Sequence, residues 1–182
     1  DYQTLVEACG TLSEAPIFID DTSALTPLEL RAKARRLKSR YDIRCIIVDY
    51  LQLMHMGGRV ESRQQEITTI SRYIKGLARE LDIPVVVLSQ LNRSPEDRTG
   101  HKPRMSDLRE SGSIEQDADV VMLLHREDYY RRGDEGYEPD NAAELIIAKQ
   151  RNGPTGSVKL IFREKITRFE NMSRVEQEAP PF

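Results

Sequence analysis

Four polar residues stand where apolar runs of the sequence end. Asp49 closes the run CIIVD, Gln90 closes VVVLSQ, and Lys149 and Arg151 follow LIIA. A carboxylate at the end of a buried strand is the group that holds Mg²⁺ through water in phosphate-transfer enzymes. The amide of Gln90 is suited to sense a γ-phosphate or to orient water. The two cations stand just before and within a turn through Asn152-Gly153-Pro154, a placement that a core strand by itself does not explain.

Each of these signals has an ordinary structural alternative. Many buried strands end in an aspartate that only caps the following loop, and this reading of Asp49 stays open on the stretch alone. Gln90 has the same alternative, as a satisfied polar residue at the end of a strand. Neither residue establishes a site without its neighbours.

The segment MSDLRESGSIEQDAD, residues 105–119, is denser in polar groups. Its Ser, Asp, Gly and Glu residues predict short helical turns just before a strand, and free N–H groups of such turns bind phosphate. Arg109 would add positive charge. The alternative is a surface loop with ordinary capping. A second basic region, on a predicted helix at 28–40, has no interleaved aromatic residues and is interpreted as a solvated or subunit-facing surface. Its cations are Arg31, Lys33, Arg35, Arg36 and Lys38.

Seven stretches predict strands, and two predict helices between them. Thr26, Pro27 and Glu29 form a capping box that opens one helix, and Ser62 with Gln65 has the same spacing at the start of another. The apolar residues of the two helices repeat at helical intervals, at Leu30, Ala34, Leu37 and Tyr41, and at Ile67, Ile70, Ile74, Leu77 and Leu81. The predicted strands are 15–20, 44–50, 84–90, 118–124 and 143–149, followed by a terminal hairpin at 157–162 and 166–171.

Strands that are apolar throughout are expected to be buried on both faces. Their alternation with helices predicts an α/β fold with a mainly parallel sheet that helices flank, ending in the antiparallel hairpin. Ligands of such sheets bind at the carboxyl ends of the strands. The candidate residues at these ends are Asp20, Asp49, Gln90 and Lys149. The polar stretch 127–141 is interpreted as a mobile loop between strands.

The composition restricts the class of protein. The chain has 182 residues, 38% of them hydrophobic, and a net charge of −3, so any nucleic-acid surface has to be local. No apolar run approaches the ~20 residues of a membrane helix, and no signal peptide is visible. We therefore expect a cytoplasmic protein that does not associate with membranes.

Together the stretches IIVDYLQLM, VVVLSQLNR, SDLRESGSIEQDADVVMLL and IIAKQRNGPTG, in this order, resemble the C-terminal motor domain of the bacterial replicative DNA helicases, the DnaB family. The resemblance covers about residues 12–171. It implies a RecA-like fold and a homohexameric ring. It also implies ATP hydrolysis at subunit interfaces, 5′→3′ translocation on single-stranded DNA, and duplex unwinding at the replication fork. Primase and a helicase loader are the further partners that it implies.

The resemblance also implies roles for individual residues. Asp49 matches the aspartate that holds Mg²⁺ through water, and Gln90 matches the glutamine that couples the γ-phosphate of ATP to the DNA-binding loops. Lys149 and Arg151 match the pair that reaches the γ-phosphate of ATP on the adjacent subunit, which would account for two cations at a strand end. The central-channel loop that follows the DNA backbone is matched by Arg109, Glu110 and Gly112.

One departure from the family pattern is large. The phosphate-binding loop G-x-x-x-x-G-K-[ST] and the catalytic glutamate are absent, so the β- and γ-phosphates would lack their cradle. We therefore expect a partial, N-terminally truncated motor domain at 1–172, inactive by itself, and a disordered tail at 173–182. Two alternatives stay open: a catalytically silent RecA-like module for binding or assembly, and another RecA-fold ATPase.

Overall fold

Two compact units, Asp1–Gln90 and Leu91–Phe182, make up the chain. The computed structural model describes residues 2–58, 62–92, 96, 98 and 100–172, and the side chains of 109–113 lie outside the described part. The tail predicted at 173–182 also lies outside it.

The first unit is built from helices and one pair of parallel strands. β1 and β2 pair in register, with Ile46 opposite Val85 and Val48 opposite Val87, as the α/β pattern predicts. The strands are shorter than the apolar runs that predict them. The elements are α1 (Tyr2–Glu14), α2 (Pro27–Tyr41), β1 (Ile46–Val48), a 3-10 turn (Leu51–Leu53), α3 (Arg63–Leu81) and β2 (Val85–Val87).

Helix α2 begins with the predicted capping box. The Thr26 hydroxyl accepts a hydrogen bond from the Glu29 N–H at 3.2 Å, and the Glu29 carboxylate accepts one from the Thr26 N–H at 2.9 Å. These bonds satisfy amide groups that have no partner inside the helix. Hydrogen bonds from the backbone and hydroxyl of Thr26 also lower the pKa of Glu29. The local sequence alone specifies this helix start.

Helix α3 supplies most of the core of the first unit. Ser62 caps it by accepting a hydrogen bond from the Gln65 N–H at 3.3 Å. Four residues of the predicted apolar stripe are buried, at Ile67, Ile70, Ile74 and Leu77. Their spacing keeps them on one face, so α3 packs through a continuous apolar surface. Leu81, the last residue of the predicted stripe, is only half-buried.

The basic face of α2 is largely paired with carboxylates. Arg31 and Arg35 both bind Glu80 of α3, which joins the two helices. Lys33 binds Asp20 and Lys38 binds Asp42. These pairs fit the interpretation of a solvated or subunit-facing surface better than that of a nucleic-acid surface.

The strand predicted at 15–20 is wrong, because this stretch is irregular in the structure. Ile17 and Ile19 are 62% and 89% exposed. The stretch is held by α2 instead of by a neighbouring strand: the Phe18 ring lies 4.6 Å from that of Tyr41, and Lys33 binds Asp20. An apolar run forms a strand only where another strand pairs with it. Helix α1 has no counterpart among the predicted elements, and every residue of this helix is exposed.

The second unit is built on a four-stranded antiparallel sheet in the order β3-β4-β5-β6. The antiparallel part of the fold therefore extends beyond the predicted terminal hairpin, since β3 and β4 also pair antiparallel. Leu108, Val121 and Leu123 form its buried centre. The elements are a 3-10 segment (Met105–Ser111), α4 (Gly112–Asp117), β3 (Val120–His125), α5 (Glu127–Tyr130), β4 (Ala142–Gln150), β5 (Gly156–Arg163), a 3-10 turn (Glu164–Ile166) and β6 (Arg168–Asn171).

The prediction that the strands are buried on both faces is wrong for the described residues. Residues of β3 alternate, with Val121 and Leu123 buried while Met122 is 54% exposed. In β1, Ile47 is 69% exposed between two half-buried neighbours. Side chains of a strand point to opposite faces in turn, so a covered face and an open face give this alternation even in an apolar run.

The segment 127–141 contains more structure than the predicted loop. Its first residues form α5, and the buried carboxylate of Asp128 accepts hydrogen bonds from the Tyr137 hydroxyl at 2.6 Å and the Asn141 N–H at 2.8 Å. Arg131 lies over the Tyr137 ring. The Asp128 side chain thus holds Tyr137 and Asn141, at the end of the segment, close to α5 at its beginning.

We expect Thr26→Ala to lower the free energy of unfolding of the protein by about 1 kcal/mol, because the amides at the start of α2 lose their hydroxyl partner. Urea denaturation measures the change. Thr68→Ala is the matched control, since the Thr68 hydroxyl bonds the Gln64 carbonyl inside α3 without capping it. That variant should shift the unfolding free energy by less than about 0.5 kcal/mol. Equal effects of the two substitutions would contradict the role of the cap.

Candidate functional site

The candidate site of the first unit lies at the carboxyl ends of β1 and β2. Asp49 follows β1 directly, and Gln90 comes three residues after β2. Because the strands are parallel and in register, both residues belong to the same edge of the sheet. Both are exposed, and among the described residues neither the Asp49 carboxylate nor the Gln90 side-chain amide has a hydrogen-bonding partner. Both are therefore available to a ligand.

The surroundings of Asp49 fit one particular way of binding a metal ion. Within the described residues, no group of three or more His, Cys, Asp or Glu side chains is placed to hold a metal. Mg²⁺ usually keeps several waters and binds one or two carboxylates together with substrate phosphates. A single exposed carboxylate therefore fits Mg²⁺ that arrives with a nucleotide.

The segment after β1 is tied to the segment after β2. The Leu88 N–H donates to the Val48 carbonyl and the Leu51 N–H donates to the Leu88 carbonyl, each at 2.9 Å. Beyond this point the side chain of Gln52 takes over the pairing. Its Nε2 donates to the Gln90 carbonyl at 3.2 Å, and its Oε1 accepts from the Gln90 N–H at 3.3 Å. The sequence analysis did not identify Gln52.

The segment after β1 is also held by the start of α3. Arg63 donates to the Gln52 carbonyl at 2.6 Å and to the Met54 carbonyl at 3.1 Å, and it pairs with Glu66. Glu66 accepts a hydrogen bond from the Met56 N–H at 2.8 Å, and this bond is the main reason that the pKa of Glu66 is lowered. One ion pair thus fixes several backbone groups of residues 52–56.

Asp20, the other acidic residue that the strand rule selected, does not belong to this site. Its stretch is not a strand, and its carboxylate is engaged by Lys33 at 2.6 Å. Hydrogen bonds from Lys33 and then from Thr22 lower the pKa of Asp20 to about 2. Asp20 therefore has a structural role.

The candidate nucleic-acid segment of the second unit forms helical turns, as predicted. A 3-10 segment, Met105–Ser111, is followed directly by α4, Gly112–Asp117. Arg109, Glu110 and Gly112 lie at the junction of the two. The side chains at these positions lie outside the described residues, so their predicted roles stay predictions.

A buried carboxylate anchors this segment. Asp107 is 2% exposed and accepts two hydrogen bonds from the guanidinium of Arg98, each at 3.0 Å, and one from the Arg104 N–H at 2.7 Å. The bonds from Arg98 are the main cause that lowers the pKa of Asp107, although burial opposes them. The only sequence signal for this anchor is an Asp within a polar segment, which does not distinguish it from an exposed Asp.

Lys149 and Arg151 both reach the segment that precedes β3. Lys149 Nζ donates to the Glu115 carbonyl at 2.6 Å and to the Gln116 carbonyl at 3.3 Å, near the C-terminal end of α4. Arg151 lies just beyond β4, where its N–H donates to the Asp119 carbonyl at 2.8 Å and its guanidinium pairs with the Asp119 carboxylate at 3.3 Å. Lys149 is in β4 and Arg151 is in the turn that follows, and both side chains bind within residues 115–119.

The comparison with solved structures shows that the chain belongs to the class of RecA-like ATPase domains. The chain superimposes on a solved ATPase domain with a TM-score of 0.86 and 40% sequence identity, covering 94% of this chain and 60% of that one. A structure of a DnaB-like replicative helicase and its interactions with primase gives the same TM-score at 41% identity, covering 94% of this chain and 42% of that one.

The sequence comparison identifies the family. The model of the DnaB-like helicase C-terminal domain matches residues 1–171, so the chain belongs to this family. The replicative DNA helicase DnaB of Mycobacterium leprae is 54% identical over 174 residues, which are 96% of this chain. The chain spans 28% of the length of that relative. The resemblance in the sequence is thereby confirmed at the level of family and fold.

No helix within the described ranges is both long and apolar enough to cross a membrane.

We expect Asp107→Asn to destabilise the protein by about 2 kcal/mol at neutral pH, because the buried partners of the carboxylate lose their charged acceptor. The pKa of Asp107 is lowered in the folded state, so its stabilisation is complete above the ordinary pKa of Asp and is lost as the pH falls through the lowered value. Urea denaturation at a series of pH values should show the wild type and the variant converging in acid.

Asp134→Asn is the control for this series, since Asp134 forms an exposed pair with Arg131. It should change stability by less than about 0.5 kcal/mol at every pH. A gap between wild type and Asp107→Asn that does not depend on pH would contradict the charged role of Asp107.

Proposed function

We propose that the chain is the motor part of an ATP-dependent replicative DNA helicase, which translocates 5′→3′ on single-stranded DNA as a homohexameric ring and unwinds duplex DNA. The family match over residues 1–171 supports this function. So does the exposure of Asp49 and Gln90, which match family residues, at one edge of the parallel strands. Such a protein would act in the cytoplasm. Primase is a proposed partner because a similar DnaB-like replicative helicase is described with its interactions with primase, and a helicase loader is proposed from the family resemblance.

ATP and Mg²⁺ are the proposed cofactors. The Asp49 carboxylate would hold Mg²⁺ through water, and the metal when bound would neutralise charge on the phosphates. The exposed amide of Gln90, on the same edge, would contact the γ-phosphate and respond to its loss. The phosphate-binding loop of the family has no counterpart in the sequence. Residues 1–172 are therefore proposed as a partial motor domain, without ATPase activity by itself.

Lys149 and Arg151 are proposed to act on ATP bound to the adjacent subunit. Their contacts in this chain, to the carbonyls of Glu115 and Gln116 and to Asp119, would have to be exchanged for phosphate oxygens. The Arg151–Asp119 pair is about half exposed on both sides, and exposed pairs contribute little to stability. A phosphate with developing charge is a stronger partner for a guanidinium, so the exchange is favourable.

The same contacts suggest how the two sites communicate. Lys149 binds the C-terminal end of α4, and the proposed DNA-binding residues Arg109, Glu110 and Gly112 lie where the 3-10 segment joins the N-terminal end of α4. These would contact DNA phosphates with no preference for sequence. Release of α4 when Lys149 moves to a phosphate would therefore alter the support of the DNA-binding residues.

The proposed function predicts that the full-length protein hydrolyses ATP in a reaction that single-stranded DNA stimulates, and that Asp49→Asn reduces the rate on the order of 10²-fold or more. The chain 1–182 alone should release no phosphate above a blank without protein. Asp42→Asn is the control, because Asp42 is an exposed carboxylate at the end of α2 and should leave the rate unchanged. A full-length protein that unwinds DNA without ATP, or an Asp49→Asn protein with the wild-type rate, would refute the proposal.

Arg151→Ala in the full-length protein should abolish most ATPase activity, on the order of 10³-fold, while nucleotide binding and ring formation persist. Lys149→Ala should act similarly but less completely, since a lysine is a point charge without a planar fork.

Mixed rings test whether Arg151 acts across the interface. Subunits with Arg151→Ala are combined with subunits mutated in the phosphate-binding loop, and some composite sites then have both groups intact. Such mixtures should hydrolyse ATP faster than either parent. If native mass spectrometry shows mixed rings and no mixture exceeds its parents, Arg151 acts within its own subunit, as the pairing with Asp119 would allow.

A further inference from the structure

Gln52 occupies an unusual position between the two halves of the candidate nucleotide site. It lies in the 3-10 turn directly after β1 and three residues beyond Asp49, and its side chain extends to the residues after β2. The side chain is partly buried, and its amide uses both its donor and its acceptor. We infer that Gln52 is a positioning residue, which holds the backbone of Gln90 and fixes the position of Gln90 relative to Asp49. This inference rests on the proposed function of those two residues.

The contacts are specific to a glutamine side chain. Gln52 Nε2 donates to the Ser89 hydroxyl oxygen at 3.0 Å and to the Gln90 carbonyl at 3.2 Å, while Oε1 accepts from the Gln90 N–H at 3.3 Å. Only a primary amide presents a donor and an acceptor side by side and so imitates the pairing of another strand. Glutamate has no donor for the carbonyl, methionine has neither group, and asparagine is one methylene shorter.

Gln52 is itself held by hydrogen bonds, so it can fix the position of the Gln90 backbone. Its carbonyl accepts a hydrogen bond from Arg63 at 2.6 Å, and Arg63 is paired with Glu66 on the same helix. The neighbouring Leu51 is fully buried, and its N–H donates to the Leu88 carbonyl at 2.9 Å. A chain of contacts therefore runs from α3 through Gln52 to the backbone of Gln90.

The Gln90 side chain, in contrast, has no partner among the described residues, so its direction depends on its backbone. The backbone pairing continues one residue past β2, to Leu88, and at Gln90 the Gln52 amide takes its place. Without Gln52, the Gln90 backbone would lose a donor and an acceptor at once. A residue that must meet a phosphate within hydrogen-bonding distance would then be poorly placed.

The test uses Gln52→Met in the full-length protein, because methionine is unbranched and close to glutamine in size. The DNA-stimulated kcat for ATP should fall on the order of tenfold to a hundredfold, since a small misplacement of a catalytic group has an effect of that size. The KM for ATP, the thermal unfolding midpoint and ring formation should change little. Gln64→Met, an exposed glutamine of α3, is the matched control and should keep the wild-type kcat.

A double-mutant cycle distinguishes positioning from general loosening of the fold. If Gln52 acts through Gln90, Gln52→Met should have no further effect on kcat in a Gln90→Ala background. Independent, multiplicative losses would overturn the inference, as would a wild-type kcat for Gln52→Met. If Gln52→Met does not assemble, Gln52→Glu is measured in the same cycle. It keeps the acceptor for the Gln90 N–H, and its loss of kcat should likewise vanish in the Gln90→Ala background.

The wild-type protein and Gln90→Ala separate this inference from the proposed function. Without DNA-stimulated hydrolysis in the wild type, or without any effect of Gln90→Ala on it, the proposed role of Gln90 fails, and the positioning role of Gln52 fails with it. If both behave as proposed and Gln52→Met matches the wild type, only the positioning role of Gln52 is wrong.

Discussion

Backbone N–H and C=O groups at the ends of strands and helices must find hydrogen-bonding partners, and this requirement organises both units of the chain. Polar side chains from neighbouring elements meet it. Gln52 binds the backbone of Gln90, and Arg63 binds the carbonyls of Gln52 and Met54. In the second unit, Asp107 accepts from the Arg104 N–H, and Lys149 donates to the carbonyls at the end of α4. Each contact fixes a segment that regular secondary structure no longer holds.

Exposure distinguishes the side chains that support the backbone from those that are proposed to bind ligands. Asp107 is buried with its charge fully engaged, and it positions the segment that leads to the proposed DNA-binding residues. Asp49 and Gln90 are exposed, and their side chains have no partner among the described residues. Because hydrogen bonds already hold the backbone at Gln90, a ligand that binds there has to order only the side chain, which limits the entropy lost on binding. Lys149 belongs to both groups, since it supports α4 here and is proposed to bind phosphate in an assembled ring.

Some of this arrangement can be predicted from local sequence, because short-range rules govern it. The capping box at Thr26 and the N-cap at Ser62 mark the starts of α2 and α3, and the apolar spacing of Ile67, Ile70, Ile74 and Leu77 identifies the buried face of α3. The strand ends that carry Asp49 and Gln90 can be identified in the same way, and the order of the motifs identifies the family, which the match over residues 1–171 confirms. Helix caps and amphipathic periods depend only on residues within a few positions of each other.

Features that depend on distant neighbours could be recognised only in the folded chain. The run at 15–20 has the composition of a strand, yet it lies beside α2, where Lys33 and Tyr41 hold it. The apolar runs of β1 and β3 do not reveal that one face of each stays open, since composition does not report what covers a strand. Asp107 and Asp134 are both acidic residues in polar segments of the sequence, and folding buries the first and exposes the second. Gln52 acquires its significance from Gln90, 38 positions away, because hydrogen bonding depends on proximity in space and sequence patterns report only proximity along the chain.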